Sequence, residues 1–411
     1  MKLDKLQLLL LSCIHLDSHR LHPTALHSLD TSGWDAFVEL SLAHRLFAQV
    51  HTRLSQPDTS PFVPIATLGR LKQAKLSNAV RNIRISQQLE ELLVAFEKAE
   101  VPVMVLKGAY LAEHIYAYPE QRSMSDIDLL IPPGVFPEVR ALLQELGYKS
   151  PDMTGLRRGN ELTFYRSNVP IDLHWNLTNC ITDPPIDDAP LWERAETVLF
   201  NGLSAKVLSK EDLLLHLCMH TSYHHGFTGG LYNLLDLAVL CARVSQTLDW
   251  MAAVRRAQLW NWDRGTYICL LLAKDMLGAP IPEAVLDGLV SQSVPSVPTG
   301  FAMEFILNTG NNNLSVIQAS RFDYGLMSVL RALFARLRIT RQELINRYDI
   351  TETTQWLIPA YYLHCLWGIA HRNYKSQLRI AFHDVQIRDQ MDKATALMRF
   401  LEGKSSSADD L

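Results

Sequence analysis

The sequence predicts an α+β protein, with a small α/β sheet unit embedded in a mostly helical chain. Between about residues 101 and 175, short runs rich in Val, Ile and Leu alternate with single amphipathic segments. On either side, apolar residues recur at three-to-four-residue spacing, the period of a helix that buries one face. With 411 residues, 48% of them hydrophobic and 20% charged, the chain can bury a sizeable core and form two or three domains.

The elements follow in order. Residues 1–84 form an N-terminal helical region, carried by "LDKLQLLLLSCIHL" and "WDAFVELSLAHRLFAQVHTRL" and interrupted by the Pro-rich loop "SQPDTSPFVP" (55–64). The α/β core spans 85–205 and opens with the periodic helix "ISQQLEELLVAFEKAE" (85–100). Then come "VPVMVLK" as strand, "GAYLAEHIYAY" as helix, "SDIDLLIP" as strand and "PEVRALLQELGY" as helix; "ELTFYR" and "IDLHW" are strands that can form a hairpin. Residues 206–401 read as a C-terminal helical region, with a loop at "SQSVPSVPTG" (291–300), and 402–411 as a flexible tail.

A net charge of −4 supplies no broad basic field, so no nucleic-acid partner is expected. The six cysteines (13, 180, 218, 241, 269, 365) lack CxxC spacing, which fits small core side chains in a reducing cytoplasm. The start "MKLDKLQLLLLSC" has too short an apolar run, broken by Asp4 and Gln7, for an export signal, and no run reaches the ~18 apolar residues of a membrane span.

The chemistry concentrates in "SDIDLLIP". On a strand, Asp126 and Asp128 share one face while Ile127 points to the other, so two like charges sit together in an otherwise apolar segment. In "PIDLHW", Asp172 and His174 share a face by the same alternation, and pairing of the two strands can set Asp172 beside the first two acids. Three carboxylates make a site for a hard divalent cation, Mg²⁺ first and Mn²⁺ as the alternative. Such sites serve phosphoryl or nucleotidyl transfer. In "VLKGAYL", Lys107 and Gly108 stand at a strand-to-helix junction, where a close phosphate meets free N–H groups. Arg122 and Ser125 are further nucleotide ligands in reach of the acids.

The series "LKGAYLAEHIY", Arg122, "SDIDLLIP" and "IDLHW" resembles the uncharacterised nucleotidyltransferase family within the DNA polymerase β-like superfamily, closely over about 85–240. The resemblance implies an enzyme that moves an NMP from an NTP to a hydroxyl or similar acceptor on a small molecule, sugar, peptide or protein, with pyrophosphate release. Asp126, Asp128 and Asp172 are then both catalytic residues and metal ligands. Lys107-Gly108 stands where most of the superfamily has Gly-Ser, so the hydroxyl that grips the γ-phosphate is missing. The alternative is a non-catalytic binding or regulatory partner of a biosynthetic assembly that keeps the fold.

Structural readings stand beside these. Asp126 can cap a turn, Asp128 can pair with Arg122, and Lys107 can be a solvated strand end. His174 either lines the site or packs beside Trp175. His216 and His220 share a helix face, but Leu217 stands where a zinc protease needs Glu. The resemblance places this helical pair over the site, so His220 and Asp236 are expected to line an acceptor cleft facing Asp172, with Asp236 paired to a histidine. The basic run 331–347 reads as a solvated face, with an anionic partner or membrane surface as the alternative, and "WLIPAYYLHCLWGIA" (356–370) as core or a protein interface, with peripheral membrane contact as the alternative.

Overall fold

The computed structural model describes residues 3–150, 161–166, 169–178, 186–290, 296–308 and 385–403. Residues 1–148 and 158–310 belong to one compact unit. A second unit contributes one described helix, Val385–Leu401. The basic run 331–347 and the apolar segment 356–370 lie outside the described residues. Among the described residues no helix is long and apolar enough to cross a membrane.

The N-terminal layer contains α1 (Lys5–Ile14), α2 (Pro23–Leu26), α3 (Thr31–Ala43) and α4 (Phe47–Leu54). Asp4 and Asp30 cap α1 and α3 by accepting from Gln7 and Gly33 backbone N–H groups. The α3–α4 turn is a Schellman closure: Leu46 N–H donates to Ser41 O (2.9 Å), and Arg45 N–H to Leu42 O (3.0 Å). Such a turn needs a left-handed residue, usually Gly, yet here it is Arg45 at φ 57°. That substitution costs about 1 kcal/mol relative to glycine.

α5 (Ile65–Lys98) is longer than the 85–100 helix expected from periodicity. Pro64 sets its start, and the buried residues Leu71, Asn78, Asn82, Ile85, Leu89, Leu92 and Phe96 continue one stripe through residue 85. Two of those stripe positions are asparagines, which broke the apolar period in the sequence.

The sheet has six strands in the order β3-β4-β2-β1-β6-β5. These are β1 (Met104–Val105), β2 (Ile127–Leu130), β3 (Glu161–Arg166), β4 (Val169–His174), β5 (Glu196–Phe200) and β6 (Leu203–Val207). β2 is antiparallel to β1 and parallel to β4, and β3–β4 form the expected hairpin. The β5–β6 hairpin was not foreseen, although Asn201 (φ 47°) and Gly202 (φ 88°) are the Asn-Gly pair such a turn demands. Between β1 and β2, the expected helix 109–117 is a short α6 (Lys107–Tyr110) that widens into a π turn over Leu111–Ile115. α7 (Phe136–Glu145) follows β2, and α8 (Ala189–Arg194) precedes β5.

The later layer is α9 (Lys210–Met219), α10 (Leu231–Val244), α11 (Trp250–Leu259), α12 (Asp263–Leu277), α13 (Glu283–Leu289) and α14 (Ser296–Leu307). α9 also ends in a π turn, His220–His224, and α10 packs on the first π turn. Buried Leu214, Leu234, Leu237 and Leu240 build this core. It holds α9 and α10 together, with α10 packed on the π turn that follows α6. Cys13, Cys218, Cys241 and Cys269 are buried free thiols, while Cys180 and Cys365 lie outside the described residues.

Candidate active site

The register of two parallel strands brings the acids together. Asp128 is paired with Asp172 across β2–β4, and Asp126 precedes β2 by one residue, on the face of Asp128. All three line a cavity of about 290 Å³. Burial, the charge of Asp128 and that of Asp172 push Asp126 up to about 6. Asp172 is raised as well, by burial and Asp128, although Thr163 on the neighbouring strand hydrogen-bonds to it. Asp128 behaves oppositely: burial opposes its charge, but Lys107 and His174 outweigh that and hold it well below the carboxylate range.

Lys107 stands at the start of α6 with its ammonium 3.1 Å from Asp128 Oδ1 and 3.0 Å from His220 Nε2. Burial works against its charge, but Asp128 and Asp126 keep its pKa raised. His174 bridges two acids, with Nε2 3.4 Å from Asp128 Oδ1 and Nδ1 3.3 Å from Glu161 Oε2. Asp128, not Asp126 or Asp172, is therefore the acid neutralised from within the chain.

Arg122 and Asp236 form a second, deeper pair. Arg122 Nη2 donates to Asp236 Oδ2 (2.9 Å) and Nε to Oδ1 (3.1 Å), while Tyr116 donates its hydroxyl proton to the same Oδ1 (2.8 Å). Arg122 Nη1 donates to Gly108 O at 3.2 Å. A Cβ at Gly108 would lie 3.3 Å from that Nη1, so glycine lets the arginine close over the turn. The loop carrying Arg122 is held by α5: Asn82 Nδ2 donates to Pro119 O and Arg122 O (both 2.8 Å), and Asn78 Nδ2 to Glu120 O (3.0 Å). Two expectations change here. Arg122 pairs with Asp236, not Asp128, and Asp236 takes arginine and tyrosine, not histidine; guanidinium and carboxylate are the best-matched buried pair in reach.

The helical wall opposite the sheet carries the histidines. Burial, then the Lys107 charge, lowers His216 to about 3 and His220 well below its ordinary range, so both are neutral imidazoles. His220, His224 and His225 bring ring nitrogens within 4.8 Å of one another. The His220 and His224 rings stack within 7° of parallel at 5.1 Å, and His225 meets both edge-on. Lys107 occupies His220 Nε2 as well.

The cavity combines a carboxylate cluster, a buried lysine and a glycine turn around the central strands β1, β2 and β4. The family of uncharacterised nucleotidyltransferases matches residues 30–278, more than half of the 411. The chain belongs to that family. It is thus a nucleotidyltransferase, an enzyme of the transferase class. The solution structure of the antibiotic-resistance factor ANT(2'')-Ia is 12% identical, aligned over 43% of this chain and 94% of its own, with a TM-score of 0.34. The crystal structure of ANT(2'')-Ia with adenylyl-2''-tobramycin is 16% identical over 42% and 98%, with a TM-score of 0.32. No curated protein matches the sequence.

The ten candidate site residues of the sequence all line the cavity of this nucleotidyltransferase: Asp126, Asp128, Asp172, Lys107, Gly108, Arg122, Ser125, His174, His220 and Asp236. Others there were not singled out. Glu161 faces His174 across the β3–β4 hairpin, and Arg45 and Tyr232 come from α3–α4 and α10. Glu161 could have been found from the hairpin register; Arg45 had no local signal.

Proposed function

We propose that this nucleotidyltransferase is metal-dependent and transfers an NMP from an NTP to an acceptor hydroxyl, releasing pyrophosphate. One observation carries the reading: the parallel register that sets Asp128 beside Asp172, with Asp126 on the same face, at the floor of a cavity. The donor set suits Mg²⁺ or Mn²⁺, because it offers hard carboxylate oxygens, and the raised Asp126 and Asp172 mark a place short of positive charge. Asp126, Asp128 and Asp172 would hold the ion, which would neutralise the triphosphate and favour ionisation of the acceptor hydroxyl.

The chain's own groups do the remainder. Asp172, its carboxyl raised by burial and the charge of Asp128, is suited to take the acceptor proton. The acceptor oxygen then bonds to the α-phosphorus, the bond from that phosphorus to the β-bridging oxygen breaks, and pyrophosphate leaves with the electron pair. Lys107 is the ammonium placed to follow the triphosphate, and neutral His220 keeps it aimed. Arg122, with its Nε and Nη2 on Asp236 and Nη1 on Gly108, orients the phosphate-facing turn. The acceptor would enter along the histidine wall.

Asp128→Asn keeps the side chain's size and removes its charge. Transfer of label from [α-³²P]NTP should fall by at least about a thousandfold while the circular dichroism spectrum is retained, the scale of losing a catalytic carboxylate. Near-native turnover in that variant would overturn the roles assigned. The Lys107 contact with Asp128 favours a second reading, a binding protein whose acid is neutralised by lysine alone. That reading predicts NTP binding that ignores EDTA.

A further inference from the structure

By the family resemblance, Lys107-Gly108 occupies the turn where most of the superfamily has Gly-Ser, so that turn offers no side-chain hydroxyl to a terminal phosphate. The N-terminal helices bring a different group to the same cavity. Arg45 is the left-handed residue of the α3–α4 turn (φ 57°), a position where glycine is the unstrained choice. Its guanidinium carbon lies 5.2 Å from the ring centroid of Tyr232, and both residues line the cavity. The arrangement is anchored on both sides. His44, fully buried, accepts the Leu231 N–H on Nδ1 (3.3 Å), so the turn and the start of α10 are clasped one residue from the stack. Among the described residues no carboxylate lies within ion-pair distance of Arg45, in contrast to Lys107 and Arg122. Tyr232 also lies in the field of Arg122, Asp236 and Lys107, the charged groups on the phosphate-facing side of the proposed site.

We propose that Arg45, held over the Tyr232 ring, is a phosphate-binding residue that grips the terminal phosphate of the NTP, so that the N-terminal helices complete the nucleotide site. This rests on the nucleotidyl-transfer reading above. A planar guanidinium held on an aromatic face presents its N–H fork outward and suits a phosphate dianion.

The backbone provides a clean test. Arg45→Gly relieves the left-handed strain while deleting the guanidinium, so folding and binding should move in opposite directions. Calorimetry with inorganic tripolyphosphate plus Mg²⁺ avoids any dependence on the base. Arg45→Gly should weaken that binding about tenfold, the scale of one charge-assisted bidentate contact, with a Tm at or above wild type. Arg45→Lys should recover only part of the loss, and AMP binding should be the same in all three proteins. Equal tripolyphosphate affinity in wild type and Arg45→Gly would overturn the proposal, as would a lowered Tm with unchanged affinity, the signature of a docking role. Failure of wild type to bind tripolyphosphate or any of the four Mg-NTPs would instead reject the nucleotidyl-transfer reading on which the proposal rests.

Discussion

Asp236→Asn should destabilise the sheet-containing unit more than any exposed change of similar size. The carboxylate is 3% exposed, and its partner Arg122 is 9% exposed, so the guanidinium has little water to turn to once the charge is gone. Removing one partner of a buried pair costs about 3–5 kcal/mol because the other charge is left uncompensated. Asparagine keeps an oxygen for the Tyr116 hydroxyl, now at 2.8 Å from Oδ1, which holds the cost near the lower end, about 3 kcal/mol. With an m-value of about 3 kcal/mol/M, the urea midpoint should drop by about 1 M. The double replacement Arg122→Met with Asp236→Leu removes both charges and should return to within about 1–2 kcal/mol of wild type. It should still bind NTP poorly, because the Nη1 contact to Gly108 O is lost. A shift under about 1 kcal/mol for Asp236→Asn, or a double variant no better than the single, would refute the buried-pair argument.

Other outcomes follow from the same geometry. In metal-free protein, Asp126 titrates at about 6, above its ordinary 3.8, so the native state holds that proton to higher pH than the unfolded chain. Stability should therefore fall as pH rises from about 4 to about 6 and stay lower above that. Asp126→Asn should be more stable than wild type by about 1–3 kcal/mol at pH 7.5 in EDTA, a difference that vanishes below about pH 4 in urea titrations. Asn82→Ala strips donors from Pro119 O and Arg122 O and should cost about 1–3 kcal/mol, read as a lowered thermal midpoint with weaker NTP binding.

The carboxylate half of the site was legible because it depends on local rules. Two-residue alternation puts Asp126 and Asp128 on one face, strand pairing can place Asp172 beside them, and the strand-to-helix junction marks Lys107 and Gly108. The order of charges within the cavity was not legible. Arg122 and Asp236 are 114 residues apart, and nothing in either segment says that they meet or that Lys107 takes Asp128 instead. Asn78 and Asn82 looked like breaks in an apolar stripe, yet they are the donors that hold the Arg122 loop. Arg45 was invisible for another reason: a left-handed arginine leaves no mark in sequence, whereas the Asn201-Gly202 turn did and was passed over. The π turns at Leu111–Ile115 and His220–His224 also have no sequence period of their own, so the spacing of His220, His224 and His225 could not be drawn from a regular helix.

Metal-dependent nucleotide binding by the carboxylate cluster is the claim on which the account turns. It is tested most directly by calorimetric titration of wild type and Asp172→Asn with Mg-ATP, Mg-CTP, Mg-GTP and Mg-UTP, each repeated in EDTA. Wild type should bind at least one of the four, with binding abolished by EDTA and weakened about tenfold or more in Asp172→Asn, whose acid pairs in register with Asp128. Binding that is equal with and without Mg²⁺, or equal in the two proteins, would contradict it.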